Sequence, residues 1–182
     1  MTTDSGHRVA FIVRWPGNVQ ARTTSEQLVS LVDLMATCRD VLGVKLPDDA
    51  GEDSVSFLPV LLGKADRPVR EALVHHSISG KFSIRQGRWK LELCPGSGGW
   101  SAPRDPQAAK QGLPPIQLYD MQDDVGEQQN VQAEHPEVVK DLTAILEQYV
   151  ARGRSTPGKP QKNGADVDIW KHGAQPKASK KG

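Results

Sequence analysis

Of the five histidines in this 182-residue chain, two are adjacent and followed by a hydroxyl, His75-His76-Ser77. This is the one dense group of side chains able to move protons near neutral pH. In a strand, neighbouring side chains point to opposite faces, so at most one of the two imidazoles can face any one pocket. Ser77 has no carboxylate partner indicated by the sequence, so the trio does not make a nucleophile–base–acid relay. His135 stands where a helix is expected to start, which favours a capping or surface role, and His7 and His172 lie near the ends of the sequence. Metal spacing is lacking: no His-x-x-x-His and no Cys-x-x-Cys occurs, and Cys38 and Cys94 sit in unrelated contexts. Asp120, Asp123, Asp124 and Glu127 have the carboxylates of a calcium loop without its register. The Gly-x-Gly-Gly within C-P-G-S-G-G-W-S (Cys94 to Ser101) follows a strand pattern and is expected to precede no helix, so it does not read as a phosphate loop.

The elements that must hold these residues follow from hydrophobic period. Phe82 and Ile84 alternate with Ser83 and Arg85; past Gln86-Gly87, Trp89, Leu91 and Leu93 alternate with Lys90 and Glu92. A period of two on both sides of Gln-Gly predicts an antiparallel hairpin with one apolar and one wet face. Glu71 to His76 supplies a strand before it and Ile116 to Tyr119 a short one after it. A hairpin cannot bury its own apolar face, and the helical pattern from Pro136 to Val150 is the expected lid. Its buried stripe is Val138, Leu142, Ile145, Leu146 and Tyr149, with Pro136 at the first helical position and Gly153 as the stop.

Upstream, Val9 to Val13 is a nearly continuous apolar run that predicts a buried strand. A helix is expected after Ser25, with Leu28, Leu31, Val32, Met35, Cys38 and Leu42 on its buried face, Asp33 solvated and Gly43 ending it. Pro47 to Asp53 reads as an acidic loop and Ser56 to Gly63 as a helical turn. One strand and one or two helices before residue 66 cannot cover a parallel sheet on both faces. The organisation expected is therefore an incomplete segment over 1–66, an antiparallel sheet with a helix over 67–152, and an extended basic tail over 153–182. Unpaired, the first 65 residues are expected to be only partly ordered or self-associating, and the region after Arg67 to fold best.

Charge supports that division. Eight of the 23 Lys and Arg but only two of the 22 Asp and Glu lie in 152–182, so a near-neutral total hides an acidic body and a basic tail. A solvated low-complexity end suits the tail better than a nucleic-acid contact. No run of about 18 apolar residues exists to span a membrane, and the first residues have no apolar signal-peptide core.

G-H-R-V-A-F-I-V-R-W-P-G (Gly6 to Gly17) and S-E-Q-L-V-S-L-V-D-L-M-A-T (Ser25 to Thr37) resemble the late part of the sulfatase family, especially bacterial arylsulfatase-like enzymes. The resemblance continues through L-V-H-H-S (Leu73 to Ser77), F-S-I-R-Q-G-R-W-K-L (Phe82 to Leu91), C-P-G-S-G-G-W-S, L-Y-D-M (Leu118 to Met121), G-E-Q-Q-N (Gly126 to Asn130), H-P-E (His135 to Glu137) and G-R-S-T-P-G (Gly153 to Gly158). Ala10 and Ala36 stand where the family usually has proline, which loosens a backbone restraint at each.

The resemblance implies an α/β fold (α+β as the chain stands). It would be the tail end of an alkaline-phosphatase-like catalytic domain, followed by a small antiparallel sheet packed against a C-terminal helix. Family members hydrolyse sulfate esters with a formylglycine made in a C/S-x-P-S-R motif and with calcium held by Asp and Asn. Cys38 begins C-R-D-V-L and Cys94 begins C-P-G-S-G, so neither carries that motif, and no catalytic, cofactor or metal ligand is expected here. The expected function is a C-terminal portion of a sulfuric ester hydrolase, inactive alone, whose partner is the upstream catalytic region and whose substrate in the complete protein is a sulfate ester or sulfated saccharide. The alternative is a non-catalytic binding module. Neither nucleic acid nor membrane is an expected partner, and a typical bacterial member would be periplasmic or secreted. In a complete sulfatase this subdomain borders the cleft mouth, which makes His76, and less so His75, Lys90 and Trp100, the candidate substrate contacts. Trp100 would stack on a ring.

Overall fold

A computed structural model describes residues 7–171. The elements are a 3-10 turn at Leu31–Asp33, α1 (Leu34–Leu42), α2 (Leu58–Leu61), β1 (Leu73–His76), β2 (Phe82–Gln86), β3 (Trp89–Glu92), α3 (Asp105–Lys110), β4 (Gln117–Asp120) and α4 (Pro136–Arg152). The four strands form one sheet in the order β1-β2-β3-β4. The chain divides into two units. One joins Ala10–Leu73 to Gln148–Ala165; the other is built on Val74–Glu147 with the segments before Ala10 and after Ala165.

The second unit holds the sheet. β2 and β3 pair antiparallel with Ile84 opposite Leu91 and Gln86 opposite Trp89. The hairpin loop is therefore Gly87-Arg88, one residue later than the Gln-Gly pair suggests. Gly87 has φ +54°, the conformation a two-residue hairpin loop needs at its first position and one that L side chains disfavour. β4 adds to β3 antiparallel, Leu118 opposite Leu91. Ile84, Leu91, Leu93 and Leu118 are buried, as are Leu142 and Leu146 of α4.

The other face of the sheet is not wet, contrary to the alternation. Ser83, Lys90 and Glu92 are fully buried. The Lys90 ammonium pairs with Glu92 at 3.1 Å and with Glu127 from the loop after β4. Gln117 Nε2 donates to the carbonyls of Cys94 and Gly96, each at 2.9 Å. Loops thus cover the polar face, and the charges they bury are paired. The Gly-rich loop does precede a helix, α3, but one of only six residues.

In the first unit two expectations change. Val9 to Val13 forms no strand; Ile12 is 88% exposed, and only Phe11 finds a ring, Phe57, edge-on at 5.4 Å. An apolar run without a neighbouring strand has no ladder to join. The helix also starts later than Ser25, at Ser30, whose N–H donates to Asp33 Oδ2 at 2.7 Å. Its buried face is the opposite of the apolar one: Asp33, Ala36 and Thr37 are buried, while Leu31, Val32, Met35 and Leu42 are exposed.

Polar chemistry explains the inversion. Asp33 is ion-paired to buried Arg70 and accepts the Val55 N–H at 2.9 Å. The Thr37 hydroxyl donates to the Asp33 carbonyl and accepts the Phe57 N–H, and Ser54 Oγ bridges Ala36 N–H to Val32 carbonyl.

The segment after α4 is no loose tail up to Gln161. Arg154, only 6% exposed, donates to the Asp48 and Lys159 carbonyls. Ser155 N–H donates to Asp53 Oδ1 at 2.8 Å, and Thr156 Oγ1 to the Glu52 carbonyl at 2.6 Å. Gly153 ends α4 at φ +62°, where a Cβ would stand 2.2 Å from the Gln161 carbonyl oxygen. The basic residues beyond Lys171 lie outside the described residues.

The chain has two tyrosines, and both phenols are held above the ordinary value near 10. Burial is the main cause at Tyr119, with Glu92 and Glu127 adding to it; at Tyr149 burial is joined by a 3.0 Å hydrogen bond to Glu71. Below pH ~10 both folded and unfolded phenols keep their protons, so neither affects stability. Above it the unfolded chain releases protons that the folded one keeps, so stability falls as pH rises. In an alkaline titration, tyrosinate absorbance should therefore appear only together with loss of circular dichroism. A tyrosinate step in a still-folded protein near pH 10 would show that these phenols are not held.

Candidate functional site

Ser77 ends β1 as a turn builder. Its Oγ accepts the N–H groups of Ser79 and Lys81 at 3.2 and 3.1 Å, and its own N–H donates to the Lys81 carbonyl at 2.9 Å. A hydroxyl fixed by two backbone donors on a tight turn is positioned for structure rather than attack.

The two preceding histidines separate as alternation requires. His75 is half-buried, its ring 4.1 Å from that of His7. His76 is exposed and stands edge-on to Phe82 at 5.1 Å. His7 Nε2 lies 3.2 Å from the His76 carbonyl oxygen, tying the start of the described chain to the end of β1.

Two lysines that sequence reading did not single out converge here. Lys171 Nζ lies 5.8 Å from the centroid of the same Phe82 ring. Lys81 Nζ donates to the Lys171 carbonyl at 2.8 Å and sits 3.9 Å from Asp105 Oδ2. With Lys81 and Lys171 standing 90 positions apart, no local pattern could have paired them. His76 therefore belongs to a small cationic edge around Phe82.

Trp100 is the most solvent-exposed aromatic of the described chain, at 76%. Its loop is nonetheless tightly bonded. Ser97 Oγ donates to the Ser101 carbonyl at 2.6 Å and accepts the Gly99 N–H; Ser97 N–H donates to the Pro103 carbonyl; Gly98 N–H donates to Asp105 Oδ1 at 3.1 Å. At Gly96 a Cβ would meet the Pro103 carbonyl oxygen at 2.6 Å, so only glycine fits. Arg104 Nε donates to the Trp100 carbonyl at 3.4 Å.

Lys90 lies elsewhere, sealed beneath the polar face of the sheet with its ammonium engaged by Glu92 and Glu127. That is a structural position, not a place to meet a substrate. His135 stands before α4, its ring 4.7 Å from Trp89 and its Nδ1 3.5 Å from Glu137.

Calcium and formylglycine do not fit the residues present. Asp33 is committed to Arg70, and Asp120 and Asp123 to Arg88, whose hydrogen bond holds the Asp120 carboxyl below its usual range. Glu92 and Glu127 face Lys90. Among the described residues no group of three or more His, Cys, Asp or Glu is arranged to hold a metal ion. Cys38 is exposed on α1 and Cys94 is buried, its thiol donating to the Gly96 carbonyl, each outside a C/S-x-P-S-R motif.

Comparison with known proteins gives this arrangement a family. The model for N-sulphoglucosamine sulphohydrolase, C-terminal, matches residues 1–93. The chain is 35% identical to an N-acetylgalactosamine-6-O-sulfatase of Bacteroides thetaiotaomicron, over 82% of this chain and 28% of that protein. It is 29% identical to arylsulfatase G of Rattus norvegicus, over 80% of this chain and 29% of the relative. Among solved structures, one from Bacteroides thetaiotaomicron described under the metabolism of multiple glycosaminoglycans superposes with a TM-score of 0.61 at 35% identity, covering 75% of this chain and 28% of that one. A second, in complex with its substrate D-glucosamine-2-N,6-O-disulfate, gives 0.54 at 28% identity, covering 75% and 27%. This chain thus spans under a third of the length of these relatives. On the family-model match over more than half its residues, the chain belongs to the sulfatase family, in its C-terminal portion.

Proposed function

We propose that this chain is the C-terminal portion of a hydrolase of sulfated saccharides, inactive alone and completed by a catalytic α/β part that supplies the formylglycine and calcium. The observation that carries this reading is the outward apolar face of the first unit. Leu31 and Leu42 are 69% and 73% exposed and Met35 47%, on a helix whose polar face is the buried one. Contiguous exposed aliphatic residues of this kind mark a surface that is covered in the working assembly. The sulfatase relatives, more than three times the length matched here, have the additional chain to cover it.

The test pairs this chain with the catalytic part of the 35%-identical Bacteroides enzyme, that is, the enzyme without the portion this chain matches. A one-to-one complex that releases sulfate from 6-sulfated N-acetylgalactosamine, with neither part active alone, is the expected result. Met35→Lys with Leu31→Lys should abolish the complex while leaving the isolated chain folded, since both side chains are already in water. Absence of both complex and sulfate release with a folded chain would reject the reading. In the active complex, His76→Ala is expected to lower kcat/KM on the saccharide about tenfold, roughly 1.4 kcal/mol, with little change on a small aryl sulfate. Equal effects on both substrates would assign His76 to structure.

A further inference from the structure

Of the three asparagines in this chain, only Asn163 is followed by glycine; Asn18 and Asn130 each precede valine. After an asparagine, the next peptide nitrogen can attack the side-chain amide and close a five-membered ring. Glycine leaves that approach open and supplies the backbone freedom it needs, whereas a branched Cβ crowds it.

The structure sharpens this difference. The Val19 N–H is committed to the Trp15 carbonyl at 2.9 Å, and the Val131 N–H to the Leu118 carbonyl at 2.9 Å. Asn130 is also held by its own amide: Oδ1 accepts the Leu118 and Gln132 N–H groups, and Nδ2 donates to the Ile116 carbonyl. Residues 161–165 are neither helix nor strand, and Gly164 is exposed. Among the described residues nothing accepts a hydrogen bond from the Gly164 N–H, and a Cβ built on Gly164 would meet nothing within 4 Å. The attacking nitrogen is therefore free at one asparagine and tied at the other two.

Asn163 also has a task that the reaction would end. Its Nδ2 donates to the Val150 carbonyl at 2.7 Å, in the last turn of α4, where carbonyls run out of intrahelical partners. Beside it the Gln161 N–H donates to the Arg152 carbonyl at 2.8 Å. The strap after Gly153 thus caps the helix end. A carboxylate in place of the amide has no proton to donate, and a negative charge is disfavoured at a helix C-terminus.

We infer that Asn163 is a site of self-modification that uncaps α4. The Gly164 nitrogen attacks Asn163 Cγ; the N–Cγ bond forms as the Cγ–Nδ2 bond breaks. The glycine amide proton leaves with Nδ2 as ammonia, and water then opens the succinimide to aspartate or isoaspartate. Water is the one co-reactant. The reaction is internal to one dipeptide, so it depends on neither the catalytic part nor a substrate of the proposed hydrolase.

The test follows the full chain, folded, in mildly alkaline buffer by peptide-mapping mass spectrometry and ammonia release. A peptide spanning 159–168 is the unrestrained reference. Asn163 should convert to a mixture of aspartate and isoaspartate at a rate within about tenfold of the peptide, with Asn18 and Asn130 intact, and Gly164→Ala should slow it at least about tenfold. Asn163→Asp stands for the aspartate product. Its Gln161 amide should exchange hydrogen at least about tenfold faster than in the parent, while the amides of β2 and β3 keep their protection. Three results would each overturn the inference: Asn163 intact in the folded chain when the peptide has converted, Asn18 or Asn130 converting as fast, or Asn163→Asp exchanging like the parent at Gln161. A chain that never forms an active complex leaves this inference standing, and an inert Asn163 leaves the hydrolase reading standing.

Discussion

Asp33→Ala is expected to destabilise the first unit by about 3–5 kcal/mol, the range found when one partner of a buried ion pair is removed. Asp33 and Arg70 are 1% and 4% exposed at their side chains, so the guanidinium left behind would be a buried, uncompensated charge. Arg70 also donates to the Ala72 carbonyl at 3.3 Å, which holds it in place rather than letting it escape to water. Two further bonds go with the carboxylate, from Ser30 N–H and Val55 N–H. They tie the start of the helix to the segment 22 residues on. Against a typical domain stability of about 5–15 kcal/mol, such a loss is a large fraction of the whole. Urea unfolding of the full chain should show a markedly lower midpoint, and Asp33→Ala/Arg70→Leu should recover part of it, because the orphaned charge is removed too. A stability loss below about 1 kcal/mol for the single variant would mean that Asp33 is solvated, the role its position in the sequence suggests.

That contrast shows how far the sequence was legible. The period of two from Phe82 to Leu93 and the helical stripe after Pro136 each correspond to elements of the expected type within a residue or two, because those elements follow from local pattern. The family motifs were legible as ordered words, and they carried the fold class and the sulfatase assignment.

What was not legible depended on distant residues. The apolar positions of α1 were read as its buried side by the ordinary rule for a surface helix. Asp33, Ala36 and Thr37 are buried instead because Arg70, Ser54 and Phe57 supply partners 18 to 37 residues away. The Val9 to Val13 run has strand composition, but composition cannot provide a neighbouring strand. Among the candidate contacts, His76 and Trp100 are exposed, whereas the interplay of Lys81 with Lys171 and Asp105 has no sequence signature at all.

Lys90→Met is expected to unfold the sheet unit or to lower its stability by about 3–5 kcal/mol. Lys90 and Glu92 are fully buried, and the Glu127 side chain is 3% exposed. The lysine is a cation shared by two carboxylates. Without it, Glu92 and Glu127 would each lose that ion pair in a site where like charges are poorly screened. Lys90→Met/Glu92→Leu/Glu127→Leu removes the charges together and should restore much of the melting temperature, since apolar side chains of similar size commonly replace buried ion networks without loss. If Lys90→Met melts like the parent, the structural assignment of Lys90 fails.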